Sequence, residues 1–246
     1  MTSSQSRVPS PNLFRGHSEV VVGKWIIGLN VAVFILTVAT GGGLLDQDGV
    51  IYKELVLWGP FVQQGQWWRL VTGAFMHAGI VHIGSNMLLF WFLAQEMEYP
   101  LGRLQFVMTY AASVMGGSLG VMLMSPIDPT LGASGGVFGL MGALVVLQLR
   151  AKQNPWNSGL GGLIVINVIL TFAIPGISAG GHLGGLGAGA LAGLIIEPIP
   201  WGRADPKIRA VFIGALSIGL AVAAVLVAHW LVPGALEREL LRRGGG

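Results

Sequence analysis

The chain has 246 residues, of which 53% are hydrophobic and only 10% are charged, and its mean hydropathy is +0.70. Soluble domains carry about 25% charged residues, so this composition predicts a surface that faces lipid more than water. The formal net charge of +3 comes without a dense basic patch, which argues against nucleic-acid binding. Because the sequence has no cysteine, disulfides, thiolate metal ligands and a cysteine nucleophile are excluded.

Residues 1–19 are polar and rich in Ser and Pro, and we predict a disordered cytoplasmic tail over 1–23. The apolar run after Lys24 is too long for the hydrophobic part of a cleavable signal peptide, and no cleavage site follows it. We therefore expect this run to stay in the membrane as an anchor.

Uncharged segments mark the candidate spans, because charged side chains are costly at the bilayer centre. Six such segments of at least 21 residues occur, and a spanning helix needs about 20. The longest, 153–196, is predicted to hold two spans separated at Pro175-Gly176, where proline removes a backbone donor and glycine permits a reversal. The prediction is an all-α polytopic bundle of about seven transmembrane helices, at 25–43, 79–95, 104–125, 134–150, 159–174, 181–197 and 210–232.

The distribution of Lys and Arg predicts the orientation. If the N-terminus is cytoplasmic, nine of the 14 basic residues fall on the cytoplasmic side. Seven spans then put the C-terminus outside, and we expect a multi-pass protein of the cell membrane. The connection from Asp46 to about Ala78 is rich in aromatic residues, which favours a loop lying partly in the membrane interface.

Four polar side chains are predicted to share one depth in the bilayer. His82 and Asn86, Ser134, and His182 all lie near the starts of even-numbered spans, which run from outside to inside in this orientation. They therefore form one layer just below the outer face. His82 and Asn86 are four residues apart and share a helix face.

Glycine spacing predicts that the fourth and sixth spans touch, because small residues let two backbones approach closely. The glycines concerned are Gly185, Gly189 and Gly193 in the sixth span and Gly135, Gly139 and Gly142 in the fourth. Such packing would bring the Ser134 hydroxyl within reach of His182, which can activate it as a nucleophile.

Neither of these two spans contains an acidic residue, so Ser134 as nucleophile and His182 as base would act as a dyad. Phe138 lies one turn after Ser134 and is placed to pack against the imidazole. The backbone N–H of Ser134 at a helix N-terminus, together with the side chains of Asn86 and His82, would stabilise an oxyanion.

The motifs resemble those of the rhomboid family over about residues 24–200. The GxSG motif is Gly132-Ala133-Ser134-Gly135, and HxxxN is His82 to Asn86. The histidine motif HxxGxxxG is formed by His182, Gly185 and Gly189, and Trp68-Arg69 occupies the first loop. GxSG alone is weak evidence, whereas all four motifs in this order are specific. Phe138 stands where many relatives have tyrosine.

The resemblance implies a serine endopeptidase, a hydrolase without metal or cofactor, that cuts transmembrane segments of membrane proteins beside a small residue. It also implies a six-helix catalytic core over 24–200. A linker and seventh helix would follow over 201–232, and a charged, glycine-containing tail over 233–246. The predicted partners are transmembrane substrates and the lipid bilayer, with no nucleic acid. The sequence makes no prediction of oligomeric state.

Other readings of these residues remain. Ser134 alone would most simply be a helix N-cap, and the glycines alone would indicate packing only. The chain could be a catalytically silent rhomboid-like protein that binds membrane helices. A transporter or a haem-binding bundle using His82 and His182 is a further alternative. A transporter is disfavoured, because the spans contain no acidic residue.

Overall fold

The computed structural model describes residues 19–41, 49–196 and 205–244. Helices dominate these residues, and their only β-type pairing is a single antiparallel bridge between Leu57 and Thr130. The helices are α1 (Val22–Ala39), α2 (Val50–Leu55), α3 (Gly59–Gln63), α4 (Arg69–Thr72), α5 (Ile80–Leu101), α6 (Arg103–Met124), α7 (Ser134–Arg150), α8 (Leu160–Ala173), α9 (Ala179–Ile196) and α10 (Pro206–Gly244), with a 3₁₀ turn at Gly73–Phe75. The all-α prediction is confirmed.

Seven of these helices, α1 and α5 to α10, occupy the seven predicted spans. Four of them, α1, α6, α9 and α10, are long and apolar enough to cross a membrane. A fifth candidate is α5 together with the segment Arg69–Phe75, from which it is bent by 97°. The remaining two, α7 and α8, are shorter apolar helices. The protein is therefore an integral, multi-pass membrane protein.

The predicted boundaries were least accurate at the two ends of the chain. α1 begins at Val22, inside the tail predicted over 1–23, and residues 1–18 of that tail lie outside the described residues. α10 continues to Gly244, through Pro233 and most of the predicted tail 233–246. A charged sequence marks where a membrane span ends, but Ala, Leu, Glu and Arg are all good helix formers. Residues 201–204 of the predicted linker lie outside the described part.

The start of α1 is held by a buried carboxylate on α5. Glu98 accepts hydrogen bonds from the backbone N–H groups of Val21, Val22 and Gly23 at 2.8, 2.9 and 2.8 Å. These N–H groups have no partner within their own helix, and the helix dipole favours a negative charge at this end. Glu98 thus ties α1 to α5. The positions of the uncharged segments did not predict this contact.

The first loop is organised around a buried arginine. Arg69 donates hydrogen bonds to the Gln66 side chain (2.7 Å) and to the Val56 carbonyl (3.0 Å). Its guanidinium group lies 4.3 Å from the centre of the Phe61 ring. Arg69 of the Trp68-Arg69 motif therefore has a structural role in the first loop.

Backbone contact between α7 and α9 forms the centre of the bundle. A Cβ atom built on Gly189 would lie 2.5 Å from the Cα atom of Gly139, and one on Gly185 would lie 3.0 Å from that of Gly135. Real Cβ atoms essentially never come closer than 3.0 Å to such atoms. The structure therefore has the glycine-lined contact that the spacing predicts.

A second glycine contact, between α6 and α9, was not predicted. A Cβ atom on Gly184 would lie 3.0 Å from Gly120 Cα, and Gly180 also lies against the backbone of Gly120. Gly117 of α6 in turn faces Gly135 of α7. The three central helices α6, α7 and α9 are thus drawn together by glycines on all three.

Replacing Glu98 with glutamine should destabilise the protein. Glutamine brings an NH₂ group toward three backbone donors and leaves part of them unpaired, at a cost of about 1–3 kcal/mol. A lower thermal unfolding midpoint in detergent would show this. Glu96→Gln, which changes an exposed carboxylate two residues away, should leave the midpoint unchanged. Equal midpoints for both variants would contradict the capping role.

A methyl group at Gly189 should disrupt the α7–α9 contact. Gly189→Ala forces overlap with backbone that cannot rotate away, so we expect destabilisation of about 1–3 kcal/mol or more. The matched control is Gly187→Ala on the same helix, because a Cβ atom there would meet nothing within 4 Å. That variant should be neutral or slightly stabilising, since alanine favours the helix. Similar stability of the two variants would refute this packing account.

Candidate active site

The four polar residues predicted to share one layer line a single cavity of about 660 Å³. His82 and Asn86 enter it from α5, Ser134 from α7 and His182 from α9. α6, α8 and the segment 129–132 complete its wall. Of the described residues, those lining the cavity include no Asp or Glu.

Ser134 is the first residue of α7, and it is not a helix cap. The N-cap residue is Ala133, and no side chain caps this helix end. The N-cap reading of Ser134 is therefore wrong. A serine at the first helical position has its hydroxyl free for other partners, next to backbone N–H groups that the helix leaves unpaired.

The segment before Ser134 is fixed by backbone hydrogen bonds to the first loop. Leu57 and Thr130 exchange N–H···O bonds of 3.1 and 2.8 Å, and the Gly132 N–H donates to the Gly73 carbonyl at 3.0 Å. The Leu57–Thr130 bridge and this third bond hold the chain just before α7. The first loop therefore determines where the hydroxyl of Ser134 lies.

Gly132 is required by both its conformation and its surroundings. Its φ of +125° disfavours any residue with a side chain. A Cβ atom there would lie 2.9 and 3.0 Å from Cε1 and Nε2 of His82, and 3.6 Å from Ser134 Oγ. The edge of the His82 ring and the Ser134 hydroxyl therefore both lie against the face of Gly132 that has no side chain.

Helix packing brings Ser134 and His182 to neighbouring positions. The residues beside them touch, because a Cβ atom on Gly135 would lie 3.2 Å from the Gly181 carbonyl oxygen. One turn into α7, the Phe138 ring stacks on the imidazole of His182, with centroids 4.0 Å apart and planes inclined by 19°. Phe138 therefore packs against this histidine, as expected from its spacing.

The two nitrogens of His182 have different surroundings. Nδ1 lies 2.6 Å from the Thr171 hydroxyl oxygen on α8. Nε2 has no such partner among the described residues. In the part of the chain that the structure describes, the two side chains do not form a direct hydrogen bond. Catalytic hydrogen bonds are often long without substrate and tighten when it binds.

The hydrogen bonds of His82 indicate which of its two ring nitrogens carries the proton. Its Nδ1 accepts a hydrogen bond from the Ala78 backbone N–H at 3.3 Å, so the ring proton belongs on Nε2. Nε2 is the nitrogen that faces Gly132. The ring of His77 packs edge-on against His82, with centroids 5.1 Å apart. His82 therefore presents a donor N–H beside Ser134.

Asn86 is buried, and one of its amide hydrogens is already used. Its Nδ2 donates to the His82 carbonyl one turn earlier in α5, at 2.9 Å. The second hydrogen on Nδ2 remains available. Asn86 can therefore donate one hydrogen bond to a group in the cavity.

Thr171 is a neighbour of His182 that was not predicted from the sequence. It lies eleven residues before His182 and is buried, with its hydroxyl also donating to the Asn167 carbonyl at 2.7 Å. Asn167 lines the cavity one turn away. Two polar residues four apart in a strongly apolar helix were the available signal.

Among the described residues, no group of three or more His, Asp or Glu is placed to hold a metal ion.

Comparisons with known proteins identify the family of the chain. The Rhomboid domain family matches residues 64–198. Rhomboid protease GluP of Bacillus subtilis is 32% identical over 200 residues, which cover 78% of this chain and 38% of GluP. Rhomboid-type serine protease 2 of Emericella nidulans is 32% identical over 143 residues, 55% of this chain and 28% of that protein. RHOMBOID-like protein 1 of Arabidopsis thaliana is 31% identical over 157 residues, 62% of this chain and 38% of that protein.

The chain belongs to the rhomboid family, and its relatives include proteins named as proteases. The matched region contains Ser134, His182, His82 and Asn86. The chain spans well under half the length of each of these three relatives.

Proposed function

We propose that this protein is an intramembrane serine endopeptidase that cuts transmembrane segments of other membrane proteins with Ser134 as nucleophile and His182 as general base. One observation carries the proposal. Gly135, the residue after Ser134 at the uncapped start of α7, touches Gly181, the residue before His182, and the Nδ1 atom of His182 faces Thr171. The protease names of the relatives support it.

In the first step, Nε2 of His182 takes the proton of the Ser134 hydroxyl while Oγ attacks the carbonyl carbon of the scissile bond. The imidazole becomes positively charged. The face of the Phe138 ring lies against it and favours that charge through a cation–π interaction. The ring provides this without the hydroxyl that tyrosine would add.

The negative oxygen of the tetrahedral intermediate needs preorganised donors. Three are available beside Ser134: its own backbone N–H at the start of α7, the second amide hydrogen of Asn86, and the Nε2–H of His82. His82 is set as a donor because the Ala78 N–H occupies its other nitrogen.

The intermediate collapses when His182 returns its proton to the leaving amine, which leaves an acyl group on Ser134 Oγ. A water molecule, deprotonated by Nε2, then attacks the acyl carbon and the serine is released. Water would reach this cavity from the outer face in the orientation predicted from the basic residues, with the N-terminus in the cytoplasm.

Ser134→Ala should abolish cleavage of a transmembrane model substrate and labelling by a fluorophosphonate probe, because both need the Oγ nucleophile. In-gel fluorescence and a cleavage assay in proteoliposomes measure the two effects. Ser217→Ala, which removes a buried hydroxyl on α10 away from the cavity, should retain both. Undiminished labelling of Ser134→Ala would refute the nucleophile assignment.

Asn86→Ala should lower kcat by about 10²–10³ while KM changes little, because an oxyanion donor acts in the transition state. Steady-state kinetics on the same substrate test this, with a thermal melt to show that folding is retained. Asn157→Ala, on the exposed connection between α7 and α8, is the control. An unchanged kcat would remove Asn86 from the oxyanion site.

A further inference from the structure

α8 is held to the rest of the bundle by few buried side chains. Of its 14 residues, only Leu160 at its start and Thr171 near its end are buried. Most of its large apolar residues, such as Ile169 and Phe172, are exposed as lipid-facing side chains are. Thr171 is 4% exposed and is therefore the one buried polar residue of this helix.

The hydroxyl of Thr171 has two neighbours and only one proton. Its oxygen lies 2.7 Å from the Asn167 carbonyl and 2.6 Å from His182 Nδ1. A carbonyl can only accept, so both hydrogen bonds form at once only if Thr171 donates to Asn167 and His182 Nδ1–H donates to Thr171. This leaves the lone pair on Nε2.

We propose that Thr171 is the positioning residue that holds His182 in the Nδ1–H form, the form in which Nε2 can act as the base for Ser134. The proposal deepens the proposed function and rests on it. It assigns to a neutral hydroxyl on α8 the orienting task that a carboxylate performs in serine protease triads. The described residues that line the cavity include no carboxylate that could do so.

The stack with Phe138 cannot perform this task alone. A flat contact between rings fixes the plane of the imidazole. It does not distinguish the ring nitrogens from the ring carbons, because a 180° turn exchanges Nδ1 with Cδ2 and Nε2 with Cε1 and preserves the stack. Nor does it select which nitrogen carries the proton. The Thr171 hydroxyl is a single point beside one nitrogen, so it selects one ring orientation and one tautomer together.

The same contact matters after proton transfer. The imidazolium formed then carries an N–H on both nitrogens, and the Nδ1–H needs an acceptor in a buried place. The Thr171 hydroxyl oxygen supplies this acceptor as long as its own hydrogen is donated to the Asn167 carbonyl. Because the acceptor is on α8, the basic form of His182 depends on α8 being in its packed position.

Two variants test this, each studied as the full chain in nanodiscs. Thr171→Val keeps the shape of the side chain and removes the hydroxyl, whereas Thr171→Ser keeps the hydroxyl. Thr109→Val on α6 is the matched control, because Thr109 is also buried and bonds the carbonyl four residues earlier but is not bonded to a histidine.

The first measurement is the ¹⁵N NMR spectrum of labelled histidine, with His182 assigned by its loss in His182→Gln. Wild type, Thr171→Ser and Thr109→Val should show a protonated Nδ1 and an unprotonated Nε2 at neutral pH. Thr171→Val should show a tautomer mixture or a protonated Nε2. A wild-type spectrum with the proton on Nε2 would overturn the proposal without any variant.

The second measurement is the kinetics of substrate cleavage. Thr171→Val should lower kcat about 10–100-fold at little changed KM, the effect of losing a hydrogen bond to a charged group. Thr171→Ser should recover most of the rate, and Thr109→Val should keep it. A full rate in Thr171→Val, or an equal loss in Thr171→Ser, would contradict the proposal.

The two proposals can fail separately. If wild type cleaves nothing and takes no fluorophosphonate label, the proposed function fails, while the NMR spectrum still decides the bond between Thr171 and His182. If Ser134→Ala abolishes activity but Thr171→Val leaves both tautomer and rate unchanged, only the role of Thr171 fails.

Discussion

The contact of backbone with backbone between α7 and α9 is the constraint on which the site depends. Gly185 lies against Gly135, and Gly189 against Gly139, at distances that exclude any side chain. In lipid, helices gain little by hiding apolar surface from one another, so close packing has to supply the attraction. The same contact brings together Gly135 and Gly181, the neighbours of Ser134 and His182 in the chain. The packing of the bundle and the proposed chemistry therefore depend on one contact.

The proposed mechanism arranges proton transfer without a buried acid in the cavity. A carboxylate in this position would be costly to desolvate and would need its own partners. In the proposal, neutral groups orient the two histidines instead. The Ala78 N–H fixes the proton of His82 on Nε2, and the Thr171 hydroxyl faces Nδ1 of His182. In the proposed mechanism one histidine thereby acts as a donor and the other as an acceptor.

Among the described residues, the buried acid Glu98 lies toward the other end of α5. Glu98 binds three backbone N–H groups at the start of α1. Its charge is offset by a helix N-terminus, which is why a carboxylate is tolerated there. The start of α1 is thus tied to α5 by a charged cap, whereas the polar side chains described around the cavity are neutral groups and histidines.

The sequence by itself determined the number and order of the long helices, the four polar residues of the site and the contact of the fourth and sixth spans. The spacing of charges and of glycines can be read from the sequence directly. Both patterns are strict in membrane proteins, because unpaired polar groups are costly in hydrocarbon and close helix packing needs small residues. The tertiary structure alone decided that α6 joins the glycine contact, that Glu98 caps α1 and that Thr171 meets His182. Each of these contacts is between residues on different helices, and it depends on how those helices pack in three dimensions. A hydroxyl that bonds its own helix and one that also orients a histidine look identical in sequence.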